Sequence, residues 1–421
     1  MSEGPFAGFT VVELGQYVVV PFCGQMLADG GARVIKVEPP QGDSYRRIGD
    51  VAPGESRPFM IKNRGKESIA IDLGHPDGAE VVRRLIGLAD VVLANMSPAA
   101  LERRGLSYEA VAAVNPSAVY GVVSAFGQHG PEARLPGMDV VVQARSGLLS
   151  ALGAEEDGVP RHSEVQAADY TTALLLLSGV TAALLARERT GQGQRVDVSL
   201  LGGAMTLQNN VLCHVYGLDD WRLDFVEDVL PRLRREGASL ADVEAERSRL
   251  RSNPSSHTAH YRVFASSDGF VAIGAGSPPA RRRFFALTGV TEEQLAEDPA
   301  GLTDRLAATL ARQPTDHWVE ALREHDVPVA EVRHIEELFF DPHVEAEGLV
   351  ADFDHEAGRY RGLGSPIALS DTPWRATAGS PPFARHTRPI LAELGYDERT
   401  VDELVGRGAV SDRPEPHVRT T

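Results

Sequence analysis

The sequence predicts an α/β protein: a large, doubly wound, Rossmann-like domain followed by a smaller α+β domain. Three observations lead there. The N-terminal part alternates short apolar runs with amphipathic stretches, the βαβ rhythm of a parallel sheet. Further on, Tyr261-Arg262-Val263-Phe264 and Phe270-Val271-Ala272-Ile273 flank Ser266-Ser267-Asp268-Gly269, a strong hairpin signal. A chain of 421 residues also exceeds one ordinary core and suggests two or three domains. The boundaries read as 1–215 for the large domain, 216–252 for a charged helical linker, 253–328 for the small domain and 329–421 for a final segment.

Each element has a local cause. Residues 9–14 form a short apolar strand, and 21–29 a helix opened by Pro21 and closed by Gly30-Gly31. Strands follow at 33–37 and 68–73, and residues 77–88 have helical periodicity with Val81, Leu85 and Leu88 on one face. Residues 90–93 and 119–124 read as buried strands. Ligands collect at the carboxyl ends of such strands, which here hold Asn95 and the Gly127 loop. No G-x-G-x-x-G follows the first strand, so a nicotinamide or flavin cofactor is not expected. A polar segment, 161–169, then opens a long helix over 170–189. The turn Thr190-Gly191-Gln192-Gly193-Gln194 and a strand at 195–200 follow it. The apolar run 173–186 is shorter than the ~20 residues a membrane span needs and reads as a buried helix.

Residues 221–251 turn charged and helical, with Ser239-Leu240-Ala241-Asp242 as a capping-box start. Helices are expected at 279–287, 291–297, 301–312, 316–324 and 335–338. Strands are expected at 349–353 and 359–363, and helices at 387–394 and 397–405.

A net charge of −17 argues against a nucleic-acid surface. An anionic ligand would need a local exception, and Arg33, Lys36, Arg46, Arg47, Lys62, Arg64, Lys66, Arg103 and Arg104 supply candidates. Ligand sites use few polar groups, so about three or four of them are expected to meet an anion. No charged-then-apolar segment follows Met1-Ser2-Glu3-Gly4, which points to a cytoplasmic protein without a membrane partner. Cys23 and Cys213 are far apart and read as reduced thiols. His257 and His260 have H-x-x-H spacing, but no third ligand is evident and no metal is expected.

Asp169 stands where the polar segment becomes the long helix. A carboxylate in a first helical turn meets unpaired amides and the positive end of the helix dipole. That field is expected to keep it ionised and still, as a nucleophile requires. The same position equally suits an acidic residue that only stabilises its helix.

The surrounding motifs resemble the family III CoA-transferases, which include formyl-CoA:oxalate and crotonobetainyl-CoA:carnitine CoA-transferases and α-methylacyl-CoA racemase. They run in order through Gly8-Phe9-Thr10-Val11-Val12-Glu13-Leu14, Arg33-Val34-Ile35-Lys36-Val37-Glu38-Pro39-Pro40 and Asn63-Arg64-Gly65-Lys66-Glu67-Ser68. Ala89-Asp90-Val91-Val92-Leu93-Ala94-Asn95, Pro136-Gly137-Met138-Asp139, the Asp169 helix, Asp341-Pro342-His343 and Gly364-Ser365-Pro366-Ile367 continue the series. Only about 216–252 is weak.

The resemblance implies a CoA-transferase that moves CoA from an acyl-CoA thioester to a free carboxylic acid through an aspartyl-CoA intermediate on Asp169. It further implies no permanently bound cofactor, coenzyme A as substrate, and an interlocked homodimer. The segment 329–421 would return to complete the large domain. Residue by residue, the loop Tyr17-Val18-Val19-Val20 should lie beside the thioester. Lys66, Asn95, Met96 and Arg103 should lie along CoA, with Lys36, Glu38 and Pro39 close by. Asp139 is expected either to position Asp169 or to be structural.

Two departures matter. The formyl-CoA transferases carry an amide side chain where this chain has Val18, so a medium-sized apolar acyl group is expected over very small polar acids. The charged stretch 221–251 could reverse that preference by supplying Arg232 or Arg234. The racemase branch needs a His before the Asp of its Gly-x-Asp motif; Met138 stands there and cannot move a proton. Racemisation and non-catalytic CoA binding are the alternatives, and the presence of Asp169, Lys66 and Asn95 argues against the second.

Overall fold

The computed structural model describes residues 3–251, 259–291, 299–376 and 378–413. The chain forms two compact units, Met1–His214 with Pro342–Thr421, and Val215–Asp341.

The first unit begins with β1 (Thr10–Leu14), α1 (Val19–Asp29) and β2 (Arg33–Glu38). A small hairpin of β3 (Asp50–Ala52) and β4 (Glu55–Ser56) leads to α2 (Arg57–Asn63) and β5 (Glu67–Ile71). Next come α3 (Pro76–Leu88), β6 (Val91–Ala94), α4 (Pro98–Arg103), α5 (Tyr108–Val114) and β7 (Val119–Ser124). Then follow α6 (Asp139–Arg145), α7 (Leu148–Leu152), the hairpin β8 (Glu155–Glu156) and β9 (Val159–Pro160), α8 (Ala167–Thr190), β10 (Arg195–Ser199) and α9 (Leu200–Leu207). The main sheet runs β10-β7-β6-β1-β2-β5 with all neighbours parallel. The late strand Val410–Ser411 adds an antiparallel edge against β5, which the sequence did not suggest.

Strand periodicity sorts the core. Val11, Val91, Leu93, Val119 and Val123 face one side with α1 and α8 residues. Val12, Ile35, Val37, Ile69, Ile71, Val92 and Val122 face the other with α3 and the tail helices. Apolar cover on both faces is what an all-parallel set of strands requires.

Helix α8 has the length and hydropathy to cross a membrane. Thr172, Ala173, Leu176, Leu177, Val180, Ala183 and Leu184 are buried at helical spacing, making it a core helix of this domain. Leu174 and Leu185 on it are exposed, so the helix is half-buried rather than enclosed. Gly203 of α9 sets its seat: a Cβ there would lie 2.2 Å from Thr172 Oγ1.

In the second unit, β11 (Tyr261–Ala265) and β12 (Phe270–Gly274) form the expected hairpin, and β13 (Val329–Glu331) pairs with β12. That pairing corrects one boundary, because residues 329–341 stay in this unit and the return begins at Pro342. Residues 216–252, read as a linker, belong to the same unit, with helices Trp221–Asp224, Leu230–Glu236 and Leu240–Leu250. The last has the capping box of Ser239 and Asp242. Most of the helix expected at 291–297, and His257, lie outside the described residues. His260 is buried, with its ring edge-on to Phe285.

Candidate active site

A cavity of about 1350 Å³ opens at the carboxyl ends of the parallel strands. Residues at or just past those ends line it: Gly15 and Gln16 after β1, Pro39 and Pro40 after β2, Asp72 after β5. Asn95 and Met96 after β6, Ser124 and Ala125 at β7, and Leu200 after β10 complete this rim. The sheet order reverses between β1 and β6, which places the crevice at a topological switch point.

Asp169 and Asp139 both line this cavity, each about 8% exposed. Asp169 is the third residue of α8 and Asp139 the first of α6. Oδ1 of Asp139 accepts the backbone N–H of Asp169 at 3.0 Å, and its Oδ2 accepts from Gln143 Nε2. The expectation that the helix start keeps Asp169 ionised needs correction. Burial, reinforced by the Asp139 carboxylate, pushes the Asp169 carboxyl up to about 7, against the opposing pull of Lys62.

The segment after β1 forms another part of the lining. Tyr17, Val18 and Val19 line the cavity, whereas Val20 is fully buried outside it. Tyr17 has φ +69, a conformation a non-glycine residue adopts only when its surroundings fix it. Those surroundings are specific. Asn95 holds Gln16 by two bonds, Nδ2 donating to its carbonyl at 2.7 Å and Oδ1 accepting its N–H at 3.1 Å. Gln16 Oε1 accepts from Ser44, and Lys36 Nζ donates to the Gly15 carbonyl. The Tyr17 ring meets Tyr45 edge-on at 5.4 Å.

Of the residues expected at CoA or the thioester, Tyr17, Val18, Val19, Pro39, Asn95 and Met96 line the cavity. Lys36, Glu38, Lys66 and Arg103 do not. Lys36 and Lys66 are buried with charge partners: Glu13 Oε1 and Asp43 Oδ2 lie 2.9 Å from Lys36 Nζ, and Glu13 Oε2 lies 2.7 Å from Lys66 Nζ. Burial favours a neutral Lys36, yet Asp43, Glu13 and Glu38 together hold it above the usual lysine range. Lys66 has fewer carboxylates and Lys36 beside it, so burial brings it down to about 8 despite Glu13. Gly24 leaves room for this network, since a Cβ there would lie 2.1 Å from Glu13 Oε2. Glu38, expected near CoA, is likewise buried against Arg46. Arg103 is exposed on α4 away from the lining, where its neighbour Arg104 stands instead.

Of the nine early cations, Arg47 and Arg104 line the cavity, joined by Arg134, which the sequence reading passed over. Its position five residues before Asp139, in the loop leading to that motif, was the available signal. Gln16, Tyr45, Gln143 and Gln166 were also missed. They are polar residues whose roles come from long-range pairing that no local pattern displays.

A crevice at a switch point, two buried carboxylates and a cationic rim suit an enzyme that handles an anionic ligand. The chain matches CoA-transferase family III over residues 6–224 and 226–387. It is 34% identical to a succinate–glutarate CoA-transferase of Agrobacterium fabrum, over 94% of this chain and 97% of the relative. A crystal structure of a CAIB/BAIF family protein from Brucella suis superposes with a TM-score of 0.72 at 30% identity, covering 94% of this chain and all of that one. The Mycobacterium tuberculosis protein Rv3272, in its orthorhombic form, gives 0.75 at 25% identity over 93% of this chain and all of its own. The chain belongs to CoA-transferase family III and is an enzyme of the acyl-CoA:carboxylate CoA-transferase class.

Proposed function

We propose that Asp169 is the nucleophile of this CoA transfer and carries CoA as an aspartyl thioester. The observation that carries the reading is a buried carboxylate lining the cavity, with its backbone amide held by Asp139. The ionised carboxylate attacks the thioester carbonyl carbon, the C–S bond breaks and CoA thiolate leaves, giving a mixed anhydride. The thiolate attacks the aspartyl carbonyl of that anhydride and releases the donor acid as its carboxylate. The acceptor carboxylate then attacks the aspartyl-CoA thioester and expels thiolate. The thiolate finally attacks the acceptor's acyl carbonyl and frees Asp169. Burial protects the anhydride from water, and remote binding of the nucleotide end keeps the thiolate in place between steps.

Arg47 and Arg104 are assigned to CoA phosphates, because they stand beside the segments after β2 and β6 at the cavity rim. Arg134, on the loop leading to Asp139, is assigned to a second carboxylate on the acyl group. Val18, Val19, Met138 and Leu200 supply apolar wall for the methylenes between the two ends. A short dicarboxylic acyl group therefore replaces the purely apolar one expected from Val18. The substrates named for the Agrobacterium relative support this. Racemisation is disfavoured by Met138, which lines the cavity next to Asp139 without a titratable group.

Exposed Leu174, Leu185, Val140 and Val141 support a homodimer that covers them. Unpaired Cys23 and Cys213 support a cytoplasmic setting. The test is isotope exchange between succinyl-CoA and labelled succinate, with hydroxylamine to trap the acyl-enzyme. Wild type should exchange and Asp169→Asn should not; undiminished exchange in Asp169→Asn removes the mechanism.

A further inference from the structure

Lys62 has no part in the mechanism above and does not line the cavity. It lies in the last turn of α2, 3% exposed. Its ammonium makes one long bond, 3.5 Å to the Pro58 carbonyl, and pairs with no carboxylate at ion-pair distance among the described residues. A buried cation in that state is costly unless something else favours its charge.

Two rings do so. Nζ stands 5.2 Å from the Tyr45 centroid and 5.8 Å from that of Tyr170, within cation–π range. Both rings are tied to the start of α8. Tyr170 follows Asp169 in the chain, and the Tyr45 hydroxyl accepts from Nε2 of Gln166, the N-cap residue of α8, at 2.8 Å. The clamp therefore docks the Lys62 charge against the helical turn that presents Asp169.

We propose that Lys62 is a positioning residue for CoA transfer: its ammonium, clamped by Tyr45 and Tyr170, holds the Asp169 carboxylate in its ionised, attacking form. The proposal rests on Asp169 being the nucleophile. Among the described residues, the titratable groups facing Asp169 are Asp139 from α6, Lys62 from α2, Tyr45, and Tyr170 on its own helix. Asp169 and Asp43 are the carboxylates that face Lys62. Asp139 disfavours the charge on Asp169, and Lys62 opposes that effect. Burial brings Lys62 itself down to about 8, so it still carries its charge at the pH where Asp169, raised to about 7, begins to ionise.

The experiment is the pH profile of kcat/KM for succinyl-CoA and labelled succinate exchange in wild type, Lys62→Met, Lys62→Arg and Asp169→Asn. Without the ammonium, Asp169 ionises at higher pH. The acid limb of Lys62→Met should rise by about one pH unit, a roughly tenfold loss at pH 6 that shrinks toward pH 9. Lys62→Arg keeps the charge and should restore most of the low-pH rate. An unmoved acid limb, or a loss equal at every pH, overturns the proposal. Should Lys62→Met fail to fold, Lys62→Gln carries the same comparison with a polar end for the Pro58 carbonyl. Asp169→Asn separates the two readings. Exchange surviving there removes the nucleophile, whereas an unmoved Lys62→Met limb beside an inactive Asp169→Asn removes only the role of Lys62.

Discussion

Oδ1 of Asp139 accepts the backbone N–H of Asp169, so the carboxylate that anchors the first turn of α8 also opposes the charge of the proposed nucleophile. Anchoring and repulsion come from one side chain, and they can be separated. Asp139→Asn keeps an oxygen for the Asp169 amide and removes the negative charge. Its new NH₂ group can donate to Gln143 Oε1, which has no partner now, after the Gln143 amide turns over. The acid limb of kcat/KM should move to lower pH, the opposite of its movement in Lys62→Met. A pH–rate profile that stays in place would assign Asp139 to structure alone.

Asp169 should also cost stability where it is ionised. Its carboxyl is raised from 3.8 to about 7 in the folded protein, so the folded state holds a proton that the unfolded chain has released. Stability then falls as pH rises between those values, and the loss is complete above about 7. Asp169→Asn removes that loss. The variant should be more stable than wild type at pH 8 and nearly equal at pH 4, with a ceiling of roughly 4 kcal/mol from the shift alone. Urea unfolding at the two pH values checks it, and equal stability at pH 8 would contradict the buried, raised carboxyl.

Lys66 should act on folding. Replacing it with Met leaves Glu13 Oε2, a buried oxygen, without its cation. Breaking one partner of a buried pair typically costs about 3–5 kcal/mol. Lys66→Met should therefore lower the urea midpoint sharply, with little selective change in KM for the acyl-CoA in the folded fraction. Unchanged stability with a tenfold higher KM would return Lys66 to the CoA site.

The anion rim separates neighbours on one helix turn. Arg104→Ala and Arg47→Ala should each raise KM for the acyl-CoA about tenfold, near 1.4 kcal/mol for one charge-assisted contact. Arg103→Ala, one residue from Arg104 and outside the cavity, should leave KM as it was. Steady-state kinetics at fixed salt decides between the two arginines.

Much of this arrangement was legible because it follows local rules. Apolar runs and Gly or Pro stops place the parallel strands, and the ligand rule for such sheets selects Asn95 without any coordinates. Ser239 with Asp242 marks a cap that forms as read. The buried ion network was not legible, since Glu13 and Lys36 become direct cross-strand neighbours only once β1 and β2 pair. A lysine in sequence looks the same whether it meets a phosphate or a buried glutamate. Val329 was misassigned for a similar reason: its strand is short, and only pairing with β12 shows where it belongs. Arg134 was overlooked because one exposed arginine in a loop has no pattern, and its meaning comes from the cavity it lines.

The substrate class proposed for Arg134 can be tested directly. The cavity lining includes Val18 and Val19, which reward each buried methylene by about 0.8 kcal/mol and would strongly disfavour an unpaired second carboxylate. Taken alone, that wall favours a butyryl group. Arg134 changes the balance, because a carboxylate paired with a guanidinium keeps its charge and gains a directed, charge-assisted contact. Succinyl-CoA should then exceed butyryl-CoA in kcat/KM for wild type, by roughly tenfold for one such contact. Arg134→Met keeps the apolar stem and removes the cation, so it should lose succinyl activity while holding or gaining butyryl activity. The ratio of the two kcat/KM values is the measurement, since it cancels any general damage to the enzyme. A wild type that prefers butyryl-CoA, or a ratio that Arg134→Met leaves unmoved, would return the site to the apolar reading.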